Sequence, residues 1–424
     1  MTVSELRDAL RRQQQAYEPA PGAFDRLVRR RQRKQRVRRL ATVAIASLVF
    51  GAALLVLLPL SDLDHGTAII DPSTVGGLDV AWTAGVGDSP TAPIVHDGLV
   101  FVGTGSGELF ALDARGGHVV WVGRLSGSIV STPAIAGDQV VVHTTSGVLA
   151  AFDTACGSQG ATCFPTWTGN TGDGAGSPPS VADGVIYVNA GDDRLLAFEG
   201  CSSGLCDPAW IGRIPSYGQP GSLVAPAVAD GSVWTVLGTD TVVFPMRCDR
   251  VCEPTQRQFA GSMSIGPVLG DRLIVLGSST GYVYGFRADC PGQCRAVWRA
   301  RADAPTTPAV DDGVVFVSGA PGGGLAAVPE LCRSAGAACD PLWVGDIHGS
   351  PTSTVVTTNG VVYVGSSDGN LYAFPKACDE TCSPSAVVRI GSSAGGPAVW
   401  EGRALFVTAA DGTLRALTVG GVDP

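Results

Sequence analysis

A pattern of small and apolar residues repeats along the chain from about residue 90 to its end. Each copy opens with a small residue and, in most copies, Pro, then passes a Gly turn into an aliphatic and aromatic stretch, as in TAPIVHDGLVFVGTGSGELFALD from Thr91. The first-turn glycines of eight successive copies lie 39 to 47 residues apart: Gly98, Gly137, Gly184, Gly231, Gly270, Gly313, Gly360 and Gly402. This period is typical of propeller blades. The pattern therefore predicts an all-β fold, an eight-bladed β-propeller of four-stranded blades.

The outer strand of most copies begins with tryptophan. The six positions are Trp82, Trp121, Trp167, Trp210, Trp298 and Trp343, and we expect Phe259 and Val388 to take this place in two further blades. A large apolar side chain there is best explained by packing between neighbouring blades. Trp82 precedes the first full copy, whereas the last copy ends after three strands. We therefore expect residues 78–85 to supply the outer strand of blade eight and close the ring.

Two stretches of the chain carry a family resemblance. The segments DGLVFVGTGSGELFALD, followed by GGHVVW, and NGVVYVGSSDGNLYAF resemble the repeat of pyrroloquinoline-quinone-type (PQQ-like) propellers. That family includes the propeller lipoprotein of the outer-membrane barrel assembly machinery and the quinoprotein alcohol dehydrogenases. The resemblance implies the propeller fold but not one function, since family members include enzymes, scaffolds and sensors.

Cysteines occur as close pairs between the third and outer strands of blades two to seven. The six pairs are Cys156/Cys163, Cys201/Cys206, Cys248/Cys252, Cys290/Cys294, Cys332/Cys339 and Cys378/Cys382. The even count and local spacing predict six disulfides, each closing its own loop, in an oxidising compartment. Zinc is the alternative, but each loop offers two thiols and no nearby His. The spacings also differ from that of a thioredoxin-type redox motif.

The N-terminal region differs from the rest of the chain in charge and hydropathy. Residues 1–40 hold twelve basic and four acidic residues, whereas the remainder holds 17 and 34. Residues 40–60 contain no charge, and at about 1.5 Å per residue they match the hydrocarbon thickness of a bilayer. Arginines before this segment and aspartates after it predict a single-pass type II anchor in the cytoplasmic membrane, with the N-terminus in the cytoplasm. A cleaved signal peptide is the alternative.

These boundaries predict four regions. They are a basic cytoplasmic arm (1–39), a transmembrane helix (40–60), a linker (61–74) and an extracytoplasmic propeller (75–424). The basic arm is expected to contact anionic lipid. Because the arm has neither a folded module nor interleaved aromatic residues, we expect no binding to nucleic acid.

Sequence motifs of catalysis do not occur in the chain. There is no GxSxG, HExxH, phosphate-binding loop or EF-hand pattern, and the five histidines have no neighbour at metal-ligand spacing. The quinoprotein dehydrogenases that the repeat resembles stack their cofactor against a disulfide between adjacent cysteines, and no two cysteines are adjacent here. We therefore expect a protein without enzymatic activity, cofactor or metal.

One face of the disc is the candidate binding surface. Alternating strands place the inter-blade connections and the second Gly turns on that face, with Asp173, Asp192, Asp193, Tyr217, Gln219, Arg301, Asp303, Asp346, His348 and Asp368. We predict that Tyr217, Gln219, Arg301, Asp303, Asp346 and His348 bind the partner. The leading hypothesis is a scaffold that recruits a protein, peptide or envelope polymer. A transmembrane sensor and a divergent quinoprotein dehydrogenase are the alternatives.

Overall fold

Eight antiparallel sheets follow one another along the chain, one for each copy of the repeat. The structure, a computed structural model, describes residues 68–172, 174, 176–192, 194–213, 224–237, 240–258, 263–288, 295–303, 305–320, 323–332 and 338–424. Each sheet is one blade, and innermost strands of neighbouring blades contact each other. The predicted all-β, eight-bladed propeller is confirmed.

Strands are numbered in chain order. Blades one to four consist of β2 (Ile94–His96), β3 (Leu99–Gly103), β4 (Glu108–Asp113) and β5 (Val119–Arg124); β6 (Ala134–Ala136), β7 (Gln139–His143), β8 (Val148–Asp153) and β10 (Trp167–Asn170); β11 (Ser180–Ala182), β12 (Val185–Asn189), β13 (Arg194–Glu199) and β15 (Trp210–Arg213); and β16 (Ala227–Ala229), β17 (Ser232–Leu237), β18 (Asp240–Pro245) and β20 (Gln256–Gln258). Blades five to eight consist of β21 (Met263–Leu269), β22 (Leu273–Ser278), β23 (Tyr282–Arg287) and β24 (Trp298–Arg301); β25 (Ala309–Asp311), β26 (Val314–Ala320), β27 (Gly324–Pro329) and β28 (Trp343–Gly345); β29 (Val356–Thr358), β30 (Val361–Gly365), β31 (Asn370–Pro375) and β33 (Ala386–Arg389); and β34 (Ala398–Trp400), β35 (Ala404–Ala409), β36 (Thr413–Val419) and β1 (Leu78–Gly85).

Blade eight joins the two ends of the propeller. Its outer strand β1 pairs antiparallel with β36, from Leu78 opposite Val419 to Gly85 opposite Thr413. A short 3₁₀ helix, Val75–Gly77, precedes β1 and buries Val75. The predicted closure is therefore confirmed, and the ring is held by a pairing between residues far apart in sequence.

Four of the blades have a fifth strand, which corrects the prediction of four-stranded blades. The added strands are β9 (Ala161–Cys163), β14 (Gly204–Cys206), β19 (Val251–Cys252) and β32 (Thr381–Cys382). Each lies in a cysteine loop and pairs in parallel with the outer strand of the preceding blade, β5, β10, β15 and β28 respectively. The sequence pattern missed these strands because each is only two or three residues long.

Disulfides close the loops that carry these strands. Five of the six predicted bonds lie within the described residues and each closes its own loop: Cys156–Cys163, Cys201–Cys206, Cys248–Cys252, Cys332–Cys339 and Cys378–Cys382. The pair Cys290/Cys294 lies outside the described residues. The second cysteine of four bonds lies in the added strand, so each of these bonds ties that strand to its own blade.

The outer-strand tryptophans pack between blades, as predicted. Trp121 is fully buried, and its ring lies 5.9 Å from that of Phe152 in the next blade. Its Nε1 donates a hydrogen bond to the carbonyl oxygen of Thr154 at 3.0 Å. Each such contact joins two blades that the chain connects only at one point, so the tryptophans stabilise the ring as a whole.

Two substitutions at the tryptophan position were assigned wrongly from the sequence. Gln256, not Phe259, pairs with Val243 at the register where Trp210 pairs with Ala197 in blade three. In blade seven the corresponding residue is Ala386, not Val388. The loops before these strands vary in length, so the repeat alone does not define where each outer strand begins.

The predicted membrane segment 40–60 and the basic arm lie outside the described residues. In the part of the chain that the structure describes, no helix has the length and apolar character needed to cross a bilayer.

Candidate functional site

The inter-blade connections and the second turns lie together on one face of the propeller. The amide of Thr145, in the second turn of blade two, donates to the carbonyl of Ser128 in the preceding connection at 2.9 Å. Ser367 and Ser350 are joined in the same way in blade seven, also at 2.9 Å. The connections are therefore held on the blades by backbone hydrogen bonds, and their side chains are presented on a rigid support. We call this surface the connection face.

Arg301 and Asp303 lie where blade five passes into blade six. Arg301 Nε donates to Asp303 Oδ1 at 3.0 Å, with the two side chains 65% and 51% exposed. The amide of Asp303 donates to the carbonyl of Gly319 at 2.7 Å, which fixes the connection against the next blade. An ion pair this exposed contributes little to stability. It is open to a partner, and its guanidinium retains donors for a carboxylate or a carbonyl group.

Asp346 and His348 lie at the corresponding place between blades six and seven, and both are exposed. The backbone of His348 is held on both sides: its amide donates to Tyr372 Oη at 3.2 Å, and its carbonyl accepts from Ser366 Oγ at 2.5 Å. Among the described residues, no hydrogen bond or ion pair joins these two side chains to the Arg301–Asp303 pair. The structure therefore presents two neighbouring groups, not one cluster.

Asp368 forms a polar network beneath His348. Its Oδ2 accepts hydrogen bonds from Tyr372 Oη at 2.6 Å and from Asn370 Nδ2 at 2.9 Å. Partial burial favours the neutral acid, but these hydrogen bonds outweigh it and hold the pKa of Asp368 below its usual value. The carboxylate is thus charged and already occupied, which makes it a support for the connection rather than a free ligand.

The remaining predicted positions differ in what the structure describes. Asp192 accepts from Arg194 Nε at 2.6 Å. Tyr217 and Gln219, which complete the predicted binding set, and Asp173 and Asp193 lie outside the described residues. The predicted aromatic anchor Tyr217 stays a prediction.

A cavity of about 670 Å³ lies on the propeller axis. It is lined by residues of all eight blades, from the segments that lead into the innermost strands and, in blade five, from β21 itself. The lining is uncharged and rich in proline and threonine; its members include Pro93, Pro133, Pro179, Pro267, Pro397 and Thr354. Sequence reasoning did not identify this cavity, although the small-Pro pair that opens most repeat copies is its signal.

Two of the five threonines that line the axial cavity already use their hydroxyls in hydrogen bonds. Proline has no backbone N–H to donate. Of the threonines, Thr352 donates its hydroxyl to the carbonyl of Ala394 at 2.7 Å, and Thr306 shares a 2.6 Å hydrogen bond with Ser318. Arg301, Asp303, Asp346 and His348 are not among the lining residues. The cavity suits a neutral group of modest polarity and provides no charge to balance an ion.

Among the described residues, no three His, Cys, Asp or Glu side chains lie close enough together to hold a metal ion. His143 is buried between blades two and three. There it contacts the Thr171 hydroxyl through Nε2 at 2.7 Å and the Ser177 carbonyl through Nδ1 at 3.2 Å. Since a carbonyl only accepts, Nδ1 carries a proton, and the Thr171 hydroxyl also donates to the carbonyl of Gly147 at 3.0 Å. Burial lowers the pKa of His143, although the Ser177 carbonyl opposes that shift. This histidine joins blades.

Part of the chain matches a known protein family, and the fold is similar to several solved structures. Residues 70–168 match the family model described as outer membrane protein assembly factor BamB. No curated protein matches the sequence. Among solved structures, BamB from Moraxella catarrhalis is 14% identical with a TM-score of 0.64, covering 80% of this chain and 99% of that one. The computationally designed Ika8 protein is 12% identical with a TM-score of 0.64, covering 79% and 98%.

A quinohemoprotein alcohol dehydrogenase from Comamonas testosteroni is similar to the same degree. It is 14% identical with a TM-score of 0.64, and the match covers 83% of this chain and 78% of that one. Its name raises the question of a quinone cofactor here. Pyrroloquinoline quinone carries three carboxylates, and the axial cavity has no cationic residue in its lining to bind them. The described lining of this cavity therefore offers those carboxylates no cationic partner.

The sequence match over residues 70–168 and the fold of the propeller agree with each other. The matched segment includes the first blade and most of the second, and the same strand order continues through the other blades. Likeness to solved structures at this level of identity shows the fold alone. Residues 70–168 therefore carry a PQQ-like β-propeller repeat of the BamB-like family, and the blades that follow share the same fold.

Proposed function

We propose that the chain is a non-enzymatic scaffold that binds a protein, peptide or envelope polymer at its connection face. The observation that carries the proposal is the contrast between the two candidate sites. The axial cavity has no charged lining residue, whereas the connection face presents exposed charged side chains on backbone held by hydrogen bonds. Such an arrangement suits recognition better than chemistry, because a reacting group needs a polarised and enclosed environment.

The proposal includes a location outside the cytoplasm with residues 40–60 as the anchor. The five disulfides support an oxidising compartment. The uncharged run of residues 40–60 and its flanking charges support a membrane anchor. The related BamB is described as an assembly factor, and the same broad class of role, bringing other components together, is what we propose here.

Proximity labelling in the native host, with the labelling enzyme fused to the C-terminus of the full chain, tests the scaffold. Substituting Tyr217→Ala together with Arg301→Ala should lower the labelling of a partner, because an aromatic anchor supplies most of the binding energy of such interfaces and charges at the rim steer the encounter. The melting temperature should not change. The matched control is Arg247→Ala, which removes an exposed pair with Glu199 of 3.0 Å on the opposite face.

Two results would contradict the proposal. Equal labelling by the double variant, with loss on changing the Cys201–Cys206 loop, would place the site on the opposite face. Uptake of pyrroloquinoline quinone with calcium, seen as a new absorbance band of the purified protein, would favour an enzyme.

A further inference from the structure

The outer edges of four blades are covered by a strand of the next blade. In blade one, the carbonyl of Val120 accepts from the amide of Gly160 at 2.8 Å. In blades three and six, the amides of Ile211 and Val344 donate to carbonyls of the next cysteine loop, each at 3.0 Å. The edge groups of these outer strands are thus satisfied by the chain itself, as an edge strand requires.

The outer strand of blade eight has no such cover among the described residues. The loop that would reach it belongs to blade one, and there residues 114–118 replace the longer cysteine loop that spans residues 154–166 in blade two. Trp82 consequently remains partly exposed. The other outer-strand tryptophans, Trp121 and Trp343 among them, are at most 3% exposed.

The edge of β1 has the same geometry as a covered edge. Trp82 pairs with Ala416 after a β-bulge at Ala81, and Trp121 pairs with Ala111 after a bulge at Val120. Since the Val120 carbonyl accepts a hydrogen bond from the segment that covers blade one, the Ala81 carbonyl faces outward at the same place. By the same register the amide of Thr83 corresponds to those of Ile211 and Val344. In the described part of the chain, neither Ala81 O nor Thr83 N has a hydrogen-bond partner outside the blade.

We propose that this edge binds an extended segment of a partner protein, added in parallel to β1 as a fifth strand. A backbone carbonyl of the segment would accept a hydrogen bond from the amide of Thr83, and a backbone amide of the segment would donate one to the carbonyl of Ala81. Strand addition to a sheet edge uses such hydrogen bonds. The proposal rests on the scaffold function and names the chemistry of one partner. It concerns a different surface from the connection face.

The propeller's own covering strands indicate which residues the partner strand carries. The residue opposite the tryptophan is small, Ala161 at Trp121 and Gly204 at Trp167. Two positions later a buried cysteine, Cys163, lies opposite Gly123. The segment that fits β1 therefore has a small residue facing Trp82 and a small apolar residue two positions further on, with no charge at either place.

Hydrogen exchange and a peptide probe test the proposal in the full chain. The probe is the blade-two covering loop itself, a synthetic peptide of residues 156–164 closed by its disulfide. Without the peptide, the Thr83 amide should exchange freely while those of Ile211 and Val344 are protected. Adding the peptide should protect Thr83, and Thr83→Pro should weaken binding roughly tenfold because it removes the donor.

Controls separate loss of the edge from loss of the fold. Thr83→Val retains the amide and should bind normally. Val387→Pro places the same change on the outer strand of blade seven and should leave peptide binding unaltered. Should Thr83→Pro fail to fold, replacing residues 114–118 with residues 154–166 should cover β1, protect Thr83 and block the peptide.

Three results would overturn the proposal. One is a Thr83 amide already protected in the peptide-free chain, since a segment of the chain would then cover the edge. The others are equal binding by Thr83→Pro and absence of binding at millimolar peptide. None of these bears on Arg301 and the connection face, so failure here leaves the scaffold proposal to its own test.

Discussion

Gly212 in blade three leaves the space that the ring of Phe244 in blade four occupies. A Cβ at Gly212 would lie 2.8 Å from Cε1 of that ring. The same contact recurs three times: Gly123 with Phe152, Gly169 with Phe198 and Gly345 with Phe374, each at 2.6 Å. Where the next blade has a smaller side chain, alanine takes the place of glycine, as Ala300 does in the cluster that contains Val328. Residue sizes are thus matched across the blade interfaces.

This matching predicts that Gly212→Ala lowers the free energy of unfolding by about 1–3 kcal/mol, because the added methyl group overpacks the interface. The double variant Gly212→Ala with Phe244→Val should lose less free energy of unfolding than the sum of the two single variants, so the two effects are not additive. Denaturant unfolding of the four chains measures the coupling. Strictly additive effects would show that Gly212 and Phe244 do not share one space.

The closure of blade eight predicts the effect of a deletion. Removing residues 75–90 takes away β1 and with it the contact of 5.6 Å between the rings of Trp82 and Phe406. We expect the free energy of unfolding to fall by more than about 4 kcal/mol, since the deletion removes the pairing with β36 and the fully buried Val75 and Val86 together, and loss of a single large core side chain alone has an effect of about 3–5 kcal/mol. Thermal unfolding measures it, with deletion of residues 423–424 as the control. A deletion that melts like the intact chain would show that β1 does not hold the ring.

The disulfides predict a loss of stability that is local to two blades. Replacing both cysteines by serine, Cys156→Ser with Cys163→Ser, should lower the free energy of unfolding by about 2.5 kcal/mol through the entropy of the opened loop. Because Cys163 lies in β9, amides in β5 of blade one should also exchange faster. Hydrogen-exchange mass spectrometry measures this. Faster exchange confined to blade two would show that the disulfide does not hold β9 against β5.

Peptide mapping under non-reducing conditions tests the whole set of cysteines. We expect six bonds, each within its own loop, including Cys290–Cys294. A free thiol or a bond between two blades would contradict the assignment.

The repeat predicted the fold because its signals are local. Turn glycines such as Gly98 and Gly184, both at positive φ, define each blade from within a few residues. The covering strands and the outer-strand positions of Gln256 and Ala386 depend on pairing between blades, which short irregular loops do not reveal. Recognition residues were the hardest to identify: Arg301 and His348 are exposed, and an exposed charge has no packing partner to mark it in the sequence. The axial prolines had a periodic signal, but it was interpreted as part of the strand.

His143 predicts how stability depends on pH. Its pKa is lowered by burial in the folded chain, so the unfolded chain binds a proton more readily. The stabilising contribution of the neutral imidazole is therefore complete above the unfolded pKa of about 6.5 and is lost as the pH falls from there through the folded pKa. Near this histidine, Arg194 donates to the carbonyl of Thr171 at 2.9 Å. Denaturant unfolding between pH 7 and pH 5 should show a slope of at most about 1.4 kcal/mol per pH unit from this group.

Two matched variants test whether the dependence of stability on pH arises from His143. His143→Gln should lose stability at pH 7, because a flexible amide replaces a ring hydrogen-bonded to Thr171 and Ser177, and should flatten the pH dependence. His118→Gln changes an exposed histidine and should retain the slope of the unmodified chain. If His143→Gln keeps that slope, the pH dependence arises from other groups, and His143 joins blades two and three without making that junction sensitive to pH.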